Sequence, residues 1–537
     1  MQKNLSVLLK RLGKSFNNFT VTQNIEKIIT SLDFDSRAVK EGSLFFALPG
    51  THIHGNKFIP QVLDKKASAV VYQDEISADI IEKAKEKHIP LIHVPDTRFA
   101  MSPLADEFYE SPSKKMIVIG ITGTEGKSST TSFVYQLLKL LGKKAGFIST
   151  VQYSIGDEPV NNPEHQTTPE APIVQRQLYE MLQNGCEYAV VESSSHGLSK
   201  RTNRLGDVLF DVAVMMNVTQ EHLEFHGTLE QYKSDKANLF RALDMHDHKK
   251  TISGKSLTVR SFGVVNTDDK AAEYFCKSTK KSIYGFSMNE NDSLTGLTLP
   301  ENLITIARNT KRTNDANGSD FFAGGCMLRI NLPGEFNIYN TLAASLVVSN
   351  LLEKEALKNP LDFPKYIPET LPKLKPVCGR MTKIDEGQNF EVIVDYAHTP
   401  SSFRTIFPPI KARAKGRIIS LFGSGGERDL QKRPEQGKIA DEFSDIIILT
   451  DEDPRGEDSF ELLEGIAKGI KNKEREKNLF IIPDRPRAIR HAFSLAKKDD
   501  IVLLLGKSHE NSIIFKDHVM PYDEIAEAKK ALQEMKK

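Results

Sequence analysis

The stretch MIVIGITGTEGKSSTTSFVYQLLKLLG (116–142) constrains the fold more than any other. An apolar run of β-type residues leads into a glycine-rich turn, and a helical pattern follows at once. Strand, loop and helix in that order, with Lys127 and Ser128 at the helix start, make a phosphate cradle. Gly123 and Gly126 let backbone N–H groups approach phosphate oxygens, Lys127 supplies a point charge, and the Ser128 hydroxyl is placed for Mg²⁺. Phe133, Val134, Leu137, Leu138 and Leu141 share one face of a helix predicted over 127–141, which stops at Gly142. The loop is shorter than the common G-x-x-x-x-G-K-[ST] form, because no glycine stands five places before Gly126. A glycine-rich turn alone is often only structural; the Lys-Ser pair at a helix N-terminus favours a nucleoside triphosphate site.

Further β-type runs alternate with helical patterns at 187–192, 211–217, 391–396, 417–422, 445–451 and 500–506. This alternation predicts an α/β protein with mostly parallel sheets. A chain of 537 residues exceeds one ordinary core, and three domains are expected: 1–112, 113–374 and 375–537. The stretches ESPSKK (110–115) and YIPETLPKLKPVCG (366–379) mark the joins. The polar, turn-rich run RNTKRTNDANGSD (308–320) is expected to be a loop within the middle domain.

Composition excludes several classes. A formal net charge of +1 argues against a broad nucleic-acid or anionic-membrane footprint and fits small charged ligands. The start, MQKNLSVLLKRLGKSF, breaks its apolar run at Lys10 and Arg11, and no run approaches the length of a membrane span, so a cytoplasmic protein without membrane insertion is expected. Cys186, Cys276, Cys326 and Cys378 have neither metal-site spacing nor a disulfide pattern, and read as reduced thiols. Glu192 ends a predicted buried strand, where a parallel sheet presents its ligands, and suits Mg²⁺. The segment 217–240 gathers Glu221, His222, Glu224, His226 and Lys236; alone, it reads as a solvated helix face.

Taken together, TGTEGKS and a series of further motifs resemble the Mur ligase family, the ATP-dependent amide-forming enzymes of peptidoglycan precursor synthesis. They are DSRAVKEGSLFFALPG (35–50), TTPE (167–170), ESSSHGL (192–198), NVTQEHLEFHG (217–227), FNIYN (336–340), GRM (379–381), VDYAHTP (394–400), FGSGGERDLQKRP (422–434), DEDPR (451–455) and GKSHE (506–510). The DSR, TTPE, DEDPR and GKSHE set is similar to the MurE type, which adds a diamino acid to UDP-N-acetylmuramoyl-L-alanyl-D-glutamate through an acyl phosphate. The resemblance implies an N-terminal UDP-binding α/β domain, a central P-loop ATPase-like parallel-sheet domain and a C-terminal Rossmann-like domain. It further implies ATP and Mg²⁺, small-molecule substrates and a monomer.

The same resemblance implies roles. Lys127, Glu192, His222 and Lys236 would be catalytic, with Lys236 carbamylated. Ser128 and Glu192 would hold one Mg²⁺, and Glu192, His222 and Lys236 a second. ATP would meet Gly123, Thr124, Glu125, Gly126, Lys127, Ser128 and Ser129, then Asn340 and Arg380, with Asp395 and His398 near its ribose and base and Lys432 and Arg433 following. The UDP-substrate would meet Ser36, Thr51, Thr167, Thr168, Ser194 and an arginine, either Arg204 or Arg201, with Arg204 favoured. The amino acid would meet Arg428, Glu452, Asp453, Arg455, Gly506 and Glu510.

Three departures bear on the acceptor and the substrate loop. The family's D-H-L-D reads Glu221-His222-Leu223-Glu224. The diaminopimelate-type D-N-P-R reads Glu452-Asp453-Pro454-Arg455, so Asp453 is expected to attract the distal ammonium of lysine or ornithine, while Arg455 suits the distal carboxylate of meso-diaminopimelate. Ser508 stands where glycine is usual and is expected to crowd the pocket. All three diamino acids stay open. A folylpolyglutamate or cyanophycin type of ligase would share the loop but lack the DSR, TTPE and DxPR set. A non-catalytic ATP binder would have lost a catalytic group, and all four are in place.

Overall fold

The computed structural model describes residues 1–22, 25–50, 53–163, 166–219, 221, 223–289, 300–315, 318–359 and 361–536. All six residues of the strand Ile117–Thr122 are buried. It lies inside a nine-stranded sheet, between Tyr188–Glu192 and Val212–Met215, both parallel to it. A central parallel strand is covered on both faces, which is why it reads as a continuous apolar run rather than as an alternation. Phe262–Asn266, Ser282–Ser287 and Leu303–Arg308 extend the sheet in parallel on one side. Ala145–Ile148 extends it on the other, followed by the antiparallel Gln152–Ser154 and Val160–Asn161.

The helix Lys127–Leu140 follows the loop and buries Phe133, Val134, Leu137 and Leu138, as its periodicity predicts. It packs against the helix Glu335–Leu352, whose buried residues run on almost every side. That packing brings Asn340 to the phosphate loop. Gly126 has φ +82°, and a Cβ there would stand 2.6 Å from Asn340 Oδ1, so the position excludes a side chain on both counts.

Two smaller sheets flank this unit. The first has five strands in the order Thr20–Val21, Leu91–His93, Ala69–Tyr72, Ser43–Ala47, Ser31–Asp33, parallel except at the first pair. The second has six in the order Thr382–Ile384, Glu391–Asp395, Ile501–Leu505, Ile418–Phe422, Ile446–Leu449, Leu479–Ile481, again parallel except at the first pair. Each face of the six-stranded sheet has its own apolar core. No helix among the described residues is long and apolar enough to cross a membrane.

The expected loop at 308–320 is instead a hairpin arm. Lys311–Asp315 pairs antiparallel with Gly318–Ala323, which pairs in turn with Cys326–Ile330. The ladder is made by backbone groups, and residues 311–314 point exposed side chains at solvent, so a polar sequence carries no apolar alternation to reveal it.

A buried cation ties the connection ahead of the central sheet to that sheet. Lys250 Nζ donates to the carbonyls of Ser113 (2.7 Å) and Leu209 (2.9 Å) and pairs with Asp211 Oδ2 at 2.8 Å, with both side chains fully buried. Asp211 also accepts from the Val118 N–H (2.9 Å) and faces His248 Nδ1 (3.0 Å). Removing one partner of a buried pair leaves the other charge uncompensated. Lys250→Met is therefore expected to lower the unfolding free energy by about 3 kcal/mol. Urea unfolding reads this, and a loss below about 1 kcal/mol contradicts it.

Candidate active site

Glu192 ends the strand Tyr188–Glu192 beside the phosphate loop, with its carboxylate buried. Four groups donate to that carboxylate: Ser128 Oγ (3.0 Å), Ser149 Oγ (2.5 Å), Thr150 N–H (2.9 Å) and Thr150 Oγ1 (2.9 Å). Thr168 Oγ1 donates to the Glu192 carbonyl (2.9 Å) and accepts from the Ser194 N–H (3.0 Å). Ser194 also caps the short helix Ser195–Leu198. Four of the expected residues, Ser128, Thr168, Glu192 and Ser194, are thus one hydrogen-bonded patch at the sheet's carboxyl edge. Ser149 and Thr150 carry no motif and escaped the sequence reading.

Lys127 Nζ rests on the Thr124 carbonyl of its own loop at 2.7 Å. The Thr124 N–H (3.0 Å) and Glu125 N–H (2.8 Å) donate to Asn217 Oδ1, and Asn340 Oδ1 accepts from Thr130 Oγ1 (3.2 Å). Lys236 comes from the helix Leu229–Ala242 and is 1% exposed, so the solvated-face reading of this segment fails at this residue. Its Nζ donates to the Gly123 carbonyl (2.6 Å) and lies 4.4 Å from the centre of the Tyr232 ring. Burial, reinforced by the nearby Lys127 charge, holds its pKa well below that of an ordinary lysine. Thr51 and His222 lie outside the described residues.

The six-stranded sheet closes the other side of a cleft. Arg380, just before its first strand, reaches Ser128 Oγ with one guanidinium nitrogen at 3.3 Å and lies over the Tyr396 ring at 4.8 Å. Thr399 Oγ1 donates to Glu125 at 3.3 Å. Gly126, Ser129, Asn340, Arg380, Asp395 and His398 all line this cleft. Asp395 accepts from the Met381 and Ala397 N–H groups, both at 2.8 Å, and burial raises its pKa. His398 Nε2 stands 4.0 Å from Glu221, yet burial and then Lys432 push its pKa down to about 4, so at neutral pH this is no ion pair. Lys432 opens the helix Lys432–Phe443. Arg433 is buried and holds Glu457 with two nitrogens, both at 2.8 Å, rather than lining the cleft.

The acceptor motifs meet at the carboxyl ends of Ile446–Leu449 and Ile501–Leu505. Asp453 Oδ1 accepts from Lys507 Nζ and from the Ile514 N–H, both at 2.9 Å, and Lys507 also pairs with Glu510. Asp453 Oδ1 thus already faces an internal ammonium, that of Lys507. Although burial works against it, Glu510 and Asp453 raise the Lys507 pKa and keep it charged. Ser508 does not crowd the pocket. Its φ is +49° and its hydroxyl turns to the Gly379 carbonyl, tying this loop to Arg380's own turn. Glu452 keeps one buried carboxylate oxygen without a partner, beside Gly506, where a Cβ would meet it at 2.8 Å. Burial raises the Glu452 and Glu510 pKa values. The Arg455 backbone N–H donates to the Ile514 carbonyl at 2.9 Å, and its Nε is buried and unpartnered. Arg428 lies in the loop after Ile418–Phe422, close to Gly425.

On the remaining side, Arg204 donates to the Thr168 carbonyl and to Glu170, both at 2.9 Å, whereas Arg201 donates to the Phe225 carbonyl at 2.6 Å. Of the two candidate arginines, Arg204 is the one at the TTPE motif. Arg98, absent from the sequence reading, brings a second guanidinium to Glu170 at 3.2 Å. Thr167 is half-buried in the same motif, and Ser36 lies in the loop after Ser31–Asp33, its carbonyl held by Lys65 at 2.9 Å. Among the described residues, one trio has metal-ligand spacing: Asp211, His246 and His248. Both ring nitrogens of His248 and the Nε2 of His246 already face protein oxygens, so the trio is a structural network.

Comparison with known proteins agrees with this geometry. Family profiles match along the chain: Mur ligase family, catalytic domain, at 28–109; Mur ligase middle domain at 121–348; and Mur ligase, glutamate ligase domain, at 379–508. A Treponema denticola protein named UDP-N-acetylmuramyl-tripeptide synthetase is 52% identical over 529 residues, covering 95% of this chain and 94% of its own. The chain belongs to the Mur ligase family. This Mur ligase is also 35% identical over 511 residues to a Geobacillus kaustophilus protein named UDP-N-acetylmuramoyl-L-alanyl-D-glutamate--2,6-diaminopimelate ligase, covering 94% and 95% of the two chains. A solved structure of a ligase with that name shares its fold with a TM-score of 0.57 at 24% identity, covering 96% of this chain and 97% of the other. A MurF ligase from Thermotoga maritima in complex with ADP does so with a TM-score of 0.60 at 18%, covering 94% and 98%.

Glu125 supplies a test of the cleft's electrostatics. Burial, and then the Glu221 charge, raise its pKa above the ordinary 4.5. Between 4.5 and the raised value the folded state holds more protons than the unfolded one, so stability falls as pH rises through that window. Glu125→Gln removes this penalty: its melting temperature is expected to exceed that of the parent at pH 8, with the gain vanishing near pH 4. Thermal unfolding across that range checks it, and a pH-independent difference contradicts it.

Proposed function

We propose that this Mur ligase uses ATP to join a diamino acid to UDP-N-acetylmuramoyl-L-alanyl-D-glutamate. The observation that carries the reading is Arg380 reaching from the six-stranded sheet to Ser128 of the phosphate loop, 3.0 Å from Glu192. A triphosphate between the two sheets would be bound from both sides, with the acceptor motifs on the same wall as Arg380. The names of the relatives support the substrate. The three-domain division at 1–112, 113–374 and 375–537, a monomeric state and a cytoplasmic location belong to the same proposal.

The γ-phosphoryl group passes from ATP to the glutamate carboxylate, giving ADP and an acyl phosphate. The amine of the diamino acid then attacks the acyl carbon; the C–O bond to phosphate breaks, phosphate leaves with the electron pair, and the amine loses a proton. Two anions must meet in the first step, so the site needs fixed cations and N–H donors. Lys127 and Arg380 supply mobile and planar positive charge on opposite sides of the cleft. The loop's glycines let backbone N–H groups face the phosphates. Asn340, Asp395 and His398 would seat the rest of the nucleotide, with Lys432 adding charge nearby; Arg433 would steady that helix through Glu457. Enclosure by both sheets keeps water from the acyl phosphate.

The Ser128 hydroxyl and Glu192 carboxylate are hard oxygen donors in one place, which fits Mg²⁺. When bound, Mg²⁺ supplies charge neutralisation between phosphate and carboxylate. Lys236 fits carbamylation: its depressed pKa favours the neutral amine, which adds CO₂, loses a proton and becomes an anion able to serve a second Mg²⁺ with Glu192 and His222. Ser36, Thr51, Thr167, Thr168, Ser194 and Arg204 would hold the UDP-dipeptide. Arg428, Glu452, Asp453, Arg455, Gly506 and Glu510 would form the amino-acid subsite, Asp453 acting through Lys507.

The direct test supplies ATP, Mg²⁺ and the UDP-dipeptide with meso-diaminopimelate, L-lysine or L-ornithine in turn. ADP release dependent on one of the three is expected, and release with none overturns the reading. Lys127→Ala should lower the rate at least a thousandfold, about 4 kcal/mol of transition-state stabilisation, without shifting the melting temperature appreciably. Near-normal turnover in that variant contradicts the assignment. Lys236→Ala should be nearly inactive and regain part of its rate in acetate, whose carboxylate replaces the missing anion. An active enzyme whose crystals show an unmodified Lys236 contradicts the carbamate.

A further inference from the structure

Arg485 is the bulkiest fully buried side chain in the described protein, and no part of the mechanism uses it. It opens the helix Arg485–Leu495, and its guanidinium makes four hydrogen bonds to three residues. Nε donates to Glu524 Oε2 (2.8 Å) and one terminal nitrogen to Glu524 Oε1 (2.6 Å). The same terminal nitrogen donates to the Leu505 carbonyl (2.7 Å), and the other to the Asp451 carbonyl (3.1 Å). Glu524 accepts in addition from the Tyr522 hydroxyl at 2.5 Å. Arg485 and Glu524 have fully buried side chains. Burial opposes the Arg485 charge, but Glu524 outweighs it and raises the pKa, so the group stays a cation at every working pH.

The two carbonyls are not arbitrary. Asp451 is the first residue of DEDPR, and Leu505 the residue immediately before GKSHE, so each carbonyl stands at the start of one of the two acceptor loops. Their strands, Ile446–Leu449 and Ile501–Leu505, are not neighbours; Ile418–Phe422 runs between them. No ladder hydrogen bond can set the distance between the motifs directly. Arg485 does so with one planar group that spans both.

We propose that the Arg485–Glu524 pair is a positioning device for the diamino-acid subsite, fixing the spacing of the DEDPR and GKSHE loops so that Glu452, Lys507 and Glu510 present one set geometry to the incoming amino acid. The proposal rests on the ligase reading above. A buried ion pair is poor evidence of stability in itself, since apolar replacements of similar volume are often as stable. Its use here is geometric: it holds the two loop starts at the Asp451 and Leu505 carbonyls, while the Asp453–Lys507 pair joins the same loops farther along.

The test separates geometry from stability. Arg485→Met/Glu524→Leu removes both charges and leaves neither buried alone; Arg485→Lys keeps the charge but cannot span both carbonyls. KM is measured for the diamino acid, for ATP and for the UDP-dipeptide in both variants, beside the parent enzyme. The diamino-acid KM is expected to rise about tenfold or more, since misplacement by an ångström or so suffices, with the other two changing by less than about threefold. A diamino-acid KM equal to the parent's, or losses shared equally by all three substrates, overturns the proposal. If the double variant fails to fold, Arg485→Lys is read by the same criteria. A parent enzyme that releases ADP with none of the diamino acids condemns the ligase reading instead, which keeps the two failures apart.

Discussion

The buried carboxylate of Glu192 is the point on which the site depends. A lone buried carboxylate is costly, and here Ser128, Ser149 and both donors of Thr150 satisfy it. Those donors come from two places, the phosphate-loop helix and the turn after Ala145–Ile148, and they meet at the strand end that carries Glu192. One anion thereby fixes the register of the loop, of its helix and of the neighbouring strand. Through Ser128 it reaches Arg380, and so the second sheet. The same carboxylate that orders the structure is the one to which the proposed mechanism assigns a metal ion, so scaffold and proposed chemistry share one group.

Around it, burial sets the charge states. It depresses Lys236 and raises Glu125, Asp395, Glu452 and Glu510. His398 and His509 are driven down to about 4 and about 3, so both are neutral at pH 7. Arg485 and Lys507 stay charged because carboxylates stand beside them. Few fixed positive charges, Lys127 and Arg380 among them, stand at the cleft rather than a broad basic surface, in keeping with the chain's near-zero net charge.

Sequence legibility followed the range of the interaction. The strand Ile117–Thr122 and the helix Lys127–Leu140 were readable because apolar periodicity and glycine placement act within a few residues. The meeting of Thr168, Glu192 and Ser194 was legible only through ordered motifs. Ser149, Thr150 and Arg98 were not legible, because a hydroxyl after a strand or an arginine on a helix carries no pattern until tertiary folding supplies its partner. The partners of Asp453 and Ser508 are hidden for a related reason: their identities are visible in the sequence, but Lys507 and the Gly379 carbonyl, which determine where they point, are not. The hairpin at Lys311–Asp315 hid because a solvated ladder needs no apolar alternation.

The central claim is that this cleft phosphorylates a carboxylate, and isotope transfer tests it most directly. The UDP-dipeptide is labelled with oxygen-18 in the glutamate carboxylate that becomes the amide, and the phosphate released during turnover is analysed by mass spectrometry. An acyl phosphate passes one labelled oxygen to each phosphate formed. Unlabelled phosphate, with amide product accumulating, would contradict the account.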